Sequence, residues 1–143
     1  LSNFHPAKFT LDGITYDHNE QYYQSQKAEH FNDVGLAESI RKTPDPNDCY
    51  KLGYRVSAFR KNEWEKVEDK IMLQGATAKF SQNEGLKQFL LSTGEKFIAE
   101  SCKDRVWGTG VAIHHPKAFN RNTWSGKNKL GKCLMQVRDK LSG

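Results

Sequence analysis

The sequence predicts a mostly α-helical α+β domain with a small N-terminal β-hairpin and one short additional strand. Three observations carry this. Asp12-Gly13 separates Phe9-Thr10-Leu11 from Ile14-Thr15-Tyr16, and Asp-Gly accepts the positive φ of a type I′ hairpin turn. Several stretches that begin on helix-capping residues follow. The length, 143 residues, suits one ordinary domain, so the chain is read as a single domain over 1–143; a monomer is expected, though nothing in the sequence sets the oligomeric state.

After the hairpin, Glu20 to Phe31 reads as a helix, and Asp33 caps a second one to about Lys42. Asp45-Pro46 joins an N-cap to a proline at the first helical position, which predicts a third helix over 46–53. Asn62 is expected to cap a long fourth helix over 63–81. Trp64, Val67, Ile71 and Ala78 form its apolar stripe, with Met72, Ala76 and Phe80 beside it. A fifth helix covers Glu84 to Thr93 and stops at Gly94. Phe97-Ile98-Ala99 is the short strand. Residues 108–127 read as a loop, long enough to favour a functional role. A last helix covers Lys129 to Leu141.

Composition narrows the class. Apolar residues make up 36% and charged residues 27%, with 3 Trp, 5 Tyr and 8 Phe. Those aromatics supply enough buried area to exclude wholesale disorder. No apolar run approaches the ~18 residues of a membrane span. Cys49, Cys102 and Cys133 are odd in number and lack C-x-x-C spacing, which argues against a disulfide framework or zinc ribbon and for a reducing compartment, the cytoplasm or nucleus. The start, Leu1-Ser2-Asn3-Phe4, shows no signal-peptide pattern and looks trimmed. The net charge of +5 is uneven: His114–Gly143 holds 7 basic residues and 1 acidic one, whereas the rest balances 15 against 16. An anionic partner follows, a phosphate, nucleotide or nucleic acid.

Three segments carry candidate chemistry. Glu20, Tyr23, Gln24 and Lys27 recur at i, i+3, i+4 and i+7, so they share a helix face. A carboxylate and an amine converging on a ligand can serve as acid/base and nucleophile. The same spacing also suits a solvated polar face. Asp104-Arg105-Val106-Trp107-Gly108-Thr109-Gly110 combines an acid, an indole and two glycines, which suits close backbone approach to a ligand ring or a glycine turn over a buried Trp. Trp124–Lys132 places lysines and amides at a helix start, a setting for phosphate. It lacks Walker spacing, and no Gly-x-Gly-x-x-Gly or Gly-x-Ser-x-Gly occurs. His114-His115 has no third ligand at metal spacing, so no metal and no cofactor are expected.

Taken together, the segments resemble one family. Leu1-Ser2-Asn3-Phe4, the Asp12-Gly13 hairpin, Glu20-x-Tyr22-Tyr23-Gln24-x-Gln26-Lys27-Ala28 and Trp64 before Met72 look like the NADAR superfamily, also called YbiA-like. So do Ala78-Lys79-Phe80, Leu90-Leu91-x-Thr93-Gly94, Asp104-x-x-Trp107-Gly108-x-Gly110 and Asn128-x-Leu130-Gly131. The eight follow the family's order along nearly the whole chain.

The resemblance implies a compact, mostly helical fold and an N-glycosidase linked to ADP-ribose and NAD metabolism. Some members hydrolyse ribosylamino intermediates of riboflavin synthesis; others remove ADP-ribose from modified guanine. The basic C-terminal segment favours the second, with ADP-ribosylated guanosine or nucleic acid as substrate. By resemblance Glu20, Lys27 and Asp104 are catalytic. Glu20 is the acid/base, Lys27 is able to form a Schiff base with an opened ribose, and Asp104 is a second carboxylate. Asn3, Phe4, Tyr23, Trp64, Lys79, Trp107, Gly108 and Asn128 are substrate-binding. Two positions depart from the pattern: Gln21 stands where His is common, and Tyr54 intervenes between Gly53 and Arg55. A direct, carboxylate-assisted route remains open beside the lysine route. So do a non-catalytic ADP-ribose-binding module and a nucleic-acid-binding domain.

Overall fold

The protein's structure, a computed structural model, describes residues 2–100, 104, 106–110 and 126–143. It has a two-stranded antiparallel sheet, β1 (Phe9–Leu11) and β2 (Ile14–Tyr16). Among the described residues seven helices follow: α1 (Asn19–His30), α2 (Val34–Arg41), α3 (Pro46–Leu52), α4 (Lys61–Glu65), α5 (Glu68–Gln82), α6 (Glu84–Ser92) and α7 (Lys129–Ser142), with a 3₁₀ turn at Gly53–Arg55. Two compact units contain them, Leu1–Gln88 and Phe89–Gly143.

The hairpin forms as expected. Asp12 and Gly13 take φ of 50° and 79°, and the register pairs Phe9 with Tyr16 and Leu11 with Ile14. Phe9, Tyr16, Tyr22 and Ala78 bury together, with the Tyr16 and Tyr22 rings edge to face at 5.0 Å. Gln82 of α5 closes the outer edge of β1, accepting from Thr10 N and donating to Thr10 O.

In the first unit α1 packs against α2, α3 and α5. It has no apolar stripe, yet Asn19, Glu20, Gln21, Gln24 and Ser25 are buried. The polar face is therefore not solvated, and each of its groups needs a partner. Asp33 and Asp45 cap α2 and α3 as the sequence indicates. The cap of α1 is less obvious. His18 Nδ1 accepts from Gln21 N at 3.0 Å, and Nε2 lies 2.8 Å from Pro44 O. Both bonds are satisfied only by the neutral, Nε2-protonated ring.

Burial lowers the His18 pKa from its ordinary 6.5, outweighing the opposing pull of the Pro44 carbonyl, Asp17 and Asp45. A lowered folded-state value means that the unfolded chain takes up the proton first. His18 should thus contribute full stability above about pH 6.5 and lose it as pH falls from there toward its folded-state pKa. Urea unfolding of wild type and His18→Asn between pH 7.5 and 5 checks this. The variant keeps a capping side chain, so its stability should fall less across that interval.

Two sequence expectations are corrected. The fourth helix is two, because the backbone leaves helical geometry at Val67 (φ −122°, ψ −14°). Asn62 lies inside α4, and neither α4 nor α5 has a side-chain cap. Of the expected apolar residues Trp64, Met72, Ala76, Ala78 and Phe80 are buried, joined by Glu68, Gly75 and Lys79, whereas Val67 and Ile71 are only half-buried. Phe97-Ile98-Ala99 forms no strand. Its backbone is held by side chains instead: Asn128 bonds Ile98 O and Glu100 N, and Arg138 bonds Lys96 O. Of the expected loop over 108–127, residues 111–125 lie outside the described residues, as do Cys102, Trp124 and the His114-His115 pair.

Candidate active site

Helix α1 brings Glu20, Tyr23, Gln24 and Lys27 to one side of the first unit. Glu20 is 6% exposed, and its Oε1 accepts from Gln24 Nε2 at 2.8 Å. Gln24 fits because Gly53 has no side chain: a Cβ there would stand 1.9 Å from Gln24 Oε1. The Leu52-Gly53 step thus makes room for the group that orients Glu20, which spacing along α1 does not reveal.

Tyr23 sits in a directional relay. Trp64 Nε1 can only donate, and it does so to Tyr23 Oη at 3.0 Å. The Tyr23 proton then points to Glu68 Oε2, 3.2 Å away. Glu68 is 6% exposed and opens α5, where the helix's amide end favours an anion. Sequence reasoning proposed Trp64 and Tyr23 and missed Glu68, because a charged residue one position after the expected stripe reads as surface. Its four-residue spacing from Trp64 was the available signal.

Lys27 is half-buried. Its Nζ lies 5.3 Å from the Phe59 ring centre and 5.8 Å from that of Tyr54. Among the described residues no carboxylate comes within ion-pairing distance of it. Desolvation pushes its pKa below that of an ordinary lysine, against the attraction of Glu20 and Glu68. An amine held this way is closer to its neutral, nucleophilic form. The neighbouring thiol offers no alternative: burial pushes Cys49 up to about 12.

The other proposed residues of this unit anchor its N-terminal segment. Asn3 Oδ1 accepts from Asn19 Nδ2 at 2.9 Å, and Asn3 O accepts from Glu20 N at 3.1 Å. Phe4 packs at a tilt on Tyr50, 6.4 Å between ring centres. Lys79 is 1% exposed and donates to Ser2 O at 2.8 Å, which ties the N-terminal segment down.

The second unit holds the remaining four. Asp104 Oδ1 accepts from Val106 N and Trp107 N, capping its own turn, and the residue is exposed. Trp107 lies under Lys129 Nζ at 5.2 Å. Gly108 O receives Asn128 N at 2.8 Å. Asn128 is 3% exposed and bonds Ile98 and Glu100 through its side chain. The expected phosphate cradle of amides at the start of α7 is corrected here. Lys129 N and Leu130 N are already bonded to Val106 O and Trp107 O. What the segment leaves toward solvent is the exposed pair Lys127 and Lys132. Gly126 permits the close approach, since a Cβ would meet Gly108 O at 2.3 Å.

Among the described residues no group of three His, Cys, Asp or Glu could hold a metal. Nor is any helix there long and apolar enough to cross a membrane.

Known proteins resemble the chain along nearly its whole length. The model of the NADAR domain matches residues 1–142. An N-glycosidase of Acanthamoeba polyphaga mimivirus is 38% identical over 121 residues, covering 84% of this chain and 71% of its own length. The N-glycosidase YbiA of Escherichia coli is 35% identical over 144 residues, covering 99% and 81%. A riboflavin biosynthesis protein of Vibrio vulnificus is 33% identical over 142 residues, but the chain spans only 35% of its length. The NMR structure of Escherichia coli YbiA superposes with a TM-score of 0.80 at 34% identity, covering 99% of this chain and 76% of that one.

Proposed function

The chain belongs to the NADAR family, and on that premise we propose that it is an N-glycosidase that frees ADP-ribose from a modified guanine. The observation that carries the reading is the pairing, on one face of α1, of buried Glu20 with a desolvated Lys27 that has no close carboxylate among the described residues. The relatives named N-glycosidase support the reaction class, and the basic C-terminal segment supports a pyrophosphate-bearing substrate.

The chemistry balances as a hydrolysis. Glu20 gives a proton to the ring oxygen as the C1–O bond opens, leaving C1 doubly bonded to the exocyclic guanine nitrogen. Neutral Lys27 adds to C1, and the guanine amine leaves carrying a proton. The Schiff base between Lys27 and C1 then takes up water, returning free Lys27 and an aldehyde that closes to ADP-ribose. Glu20 moves protons in both halves, and Gln24 holds its carboxylate in place. In this reading Glu68 and Tyr23 fix Trp64 as a wall of the site.

Incubation with ADP-ribosylated guanosine should release ADP-ribose and guanosine, and Glu20→Gln should lower kcat by about 10²–10⁴-fold. Cleavage of a ribosylamino-pyrimidine alone would move the substrate to the riboflavin class. Tight ADP-ribose binding without turnover of either compound would make the chain a binding module.

A further inference from the structure

Two large aromatic side chains exposed to water lie beside Lys27. Tyr54 is 75% exposed and Phe59 is 43% exposed. Both are nevertheless held in place. Tyr54 Oη lies 2.7 Å from Tyr50 Oη, and the two rings meet edge to face at 5.3 Å. Phe59 packs edge-on against Phe31 at 5.2 Å.

The segment before Phe59 is also constrained. Ser57 N and Oγ both donate to Asp33 Oδ2 at 3.0 Å. Ala58 takes φ of +54°, a left-handed conformation that costs a non-glycine residue energy. Strain of this kind persists where the surroundings over-determine it, and it gathers at ligand sites. Phe59, the next residue, lies beside the Lys27 ammonium. The rings that border Lys27 are therefore pre-organised, which lowers the entropic cost of receiving a flat ligand.

We propose that Tyr54 and Phe59, the two rings that border Lys27, form a stacking subsite for the planar heteroaromatic base that leaves from ribose C1. A purine offers a flat π-face of a size that exposed aromatic rings can stack on. The subsite also explains how the base is held while C1 lies within reach of the amine. The identity of the base as guanine rests on the function proposed above; the stacking itself does not.

Guanosine alone is the probe. Saturation-transfer NMR from protein aromatic protons should label guanosine H8 in the wild type. The signal should persist in Tyr54→Phe and fall with a roughly ten- to hundred-fold weaker Kd in Tyr54→Ala/Phe59→Ala. Both residues are exposed, so the fold should survive; Tyr54→Leu keeps apolar bulk without a π-face if it does not. Undiminished transfer in the double variant or in Tyr54→Leu overturns the subsite, as does no transfer in the wild type. Turnover of ADP-ribosylated guanosine is read separately, with KM expected to rise more than kcat falls in Tyr54→Ala. A wild type that stacks guanosine but releases no ADP-ribose upholds the subsite and refutes the proposed substrate.

Discussion

Replacing Lys27 by alanine should leave a folded protein that releases ADP-ribose roughly 10³-fold more slowly or worse, as loss of a covalent nucleophile does. It should also leave no adduct when borohydride is added during turnover. The wild type should be trapped with ribose bonded at Lys27 Nζ, because hydride reduces the Schiff base to a stable secondary amine. Lys27→Arg makes the sharper control. It preserves the positive charge and much of the stem but cannot lose its proton to become a nucleophile. If Lys27 served only as a cation, Arg would rescue; if it attacks C1, Arg is as inactive as Ala. The pH dependence has a definite sign. Desolvation lowers the Lys27 pKa below the ordinary 10.5, so the neutral fraction and the rate rise with pH through a limb lying below that value. Full activity in Lys27→Ala with no trapped adduct would hand the reaction to the direct, Glu20-assisted route.

The legibility of this fold in its sequence followed the apolar and turn signals closely. Asp12-Gly13, Asp33 and Asp45-Pro46 each act through local chemistry that depends on few distant contacts, and each does in the structure what its residue type dictates. The division of α4 from α5 was not legible, because the buried face of α5 includes Glu68 and Lys79. A periodicity of apolar residues cannot register a face whose charged members are hydrogen-bonded inside. The same holds for His18, whose capping role requires a carbonyl contributed by Pro44, 26 residues away. Among the proposed site residues, helical spacing put Glu20 and Lys27 on one face, and the family resemblance supplied their catalytic roles. Gln24 as the residue that orients Glu20 was not, since its place depends on the missing side chain at Gly53.

Asn128→Ala is expected to be the most damaging change in the second unit, and it separates two readings of this residue. The resemblance makes Asn128 a sugar or phosphate ligand. In the structure its Oδ1 accepts from Glu100 N at 2.9 Å, and its Nδ2 donates to Ile98 O at 3.0 Å. These bonds replace the ladder that a strand at 97–99 would have supplied. Truncation removes both of these bonds, at ~1–3 kcal/mol each. Asn128 also sits at φ 52°, ψ 40°, where alanine is disfavoured by a further ~1–2 kcal/mol. Because neighbouring effects do not add fully, a loss of ~3–5 kcal/mol is expected, against a total stability of ~5–15 kcal/mol for a domain. Asn128→Gly isolates the contributions: it tolerates the left-handed backbone and loses only the two side-chain bonds, so it should be less destabilising than alanine. Asn128→Asp keeps an acceptor for Glu100 N but turns a carboxylate oxygen toward Ile98 O, so it should also unfold more easily than wild type. Urea melts of the three variants measure this order, and KM for ADP-ribosylated guanosine on the folded fraction measures the other role. Unchanged melts with a raised KM would return Asn128 to the ligand. Lowered melts with an unchanged KM would make it the clamp that lets α7 start where the 97–100 segment passes.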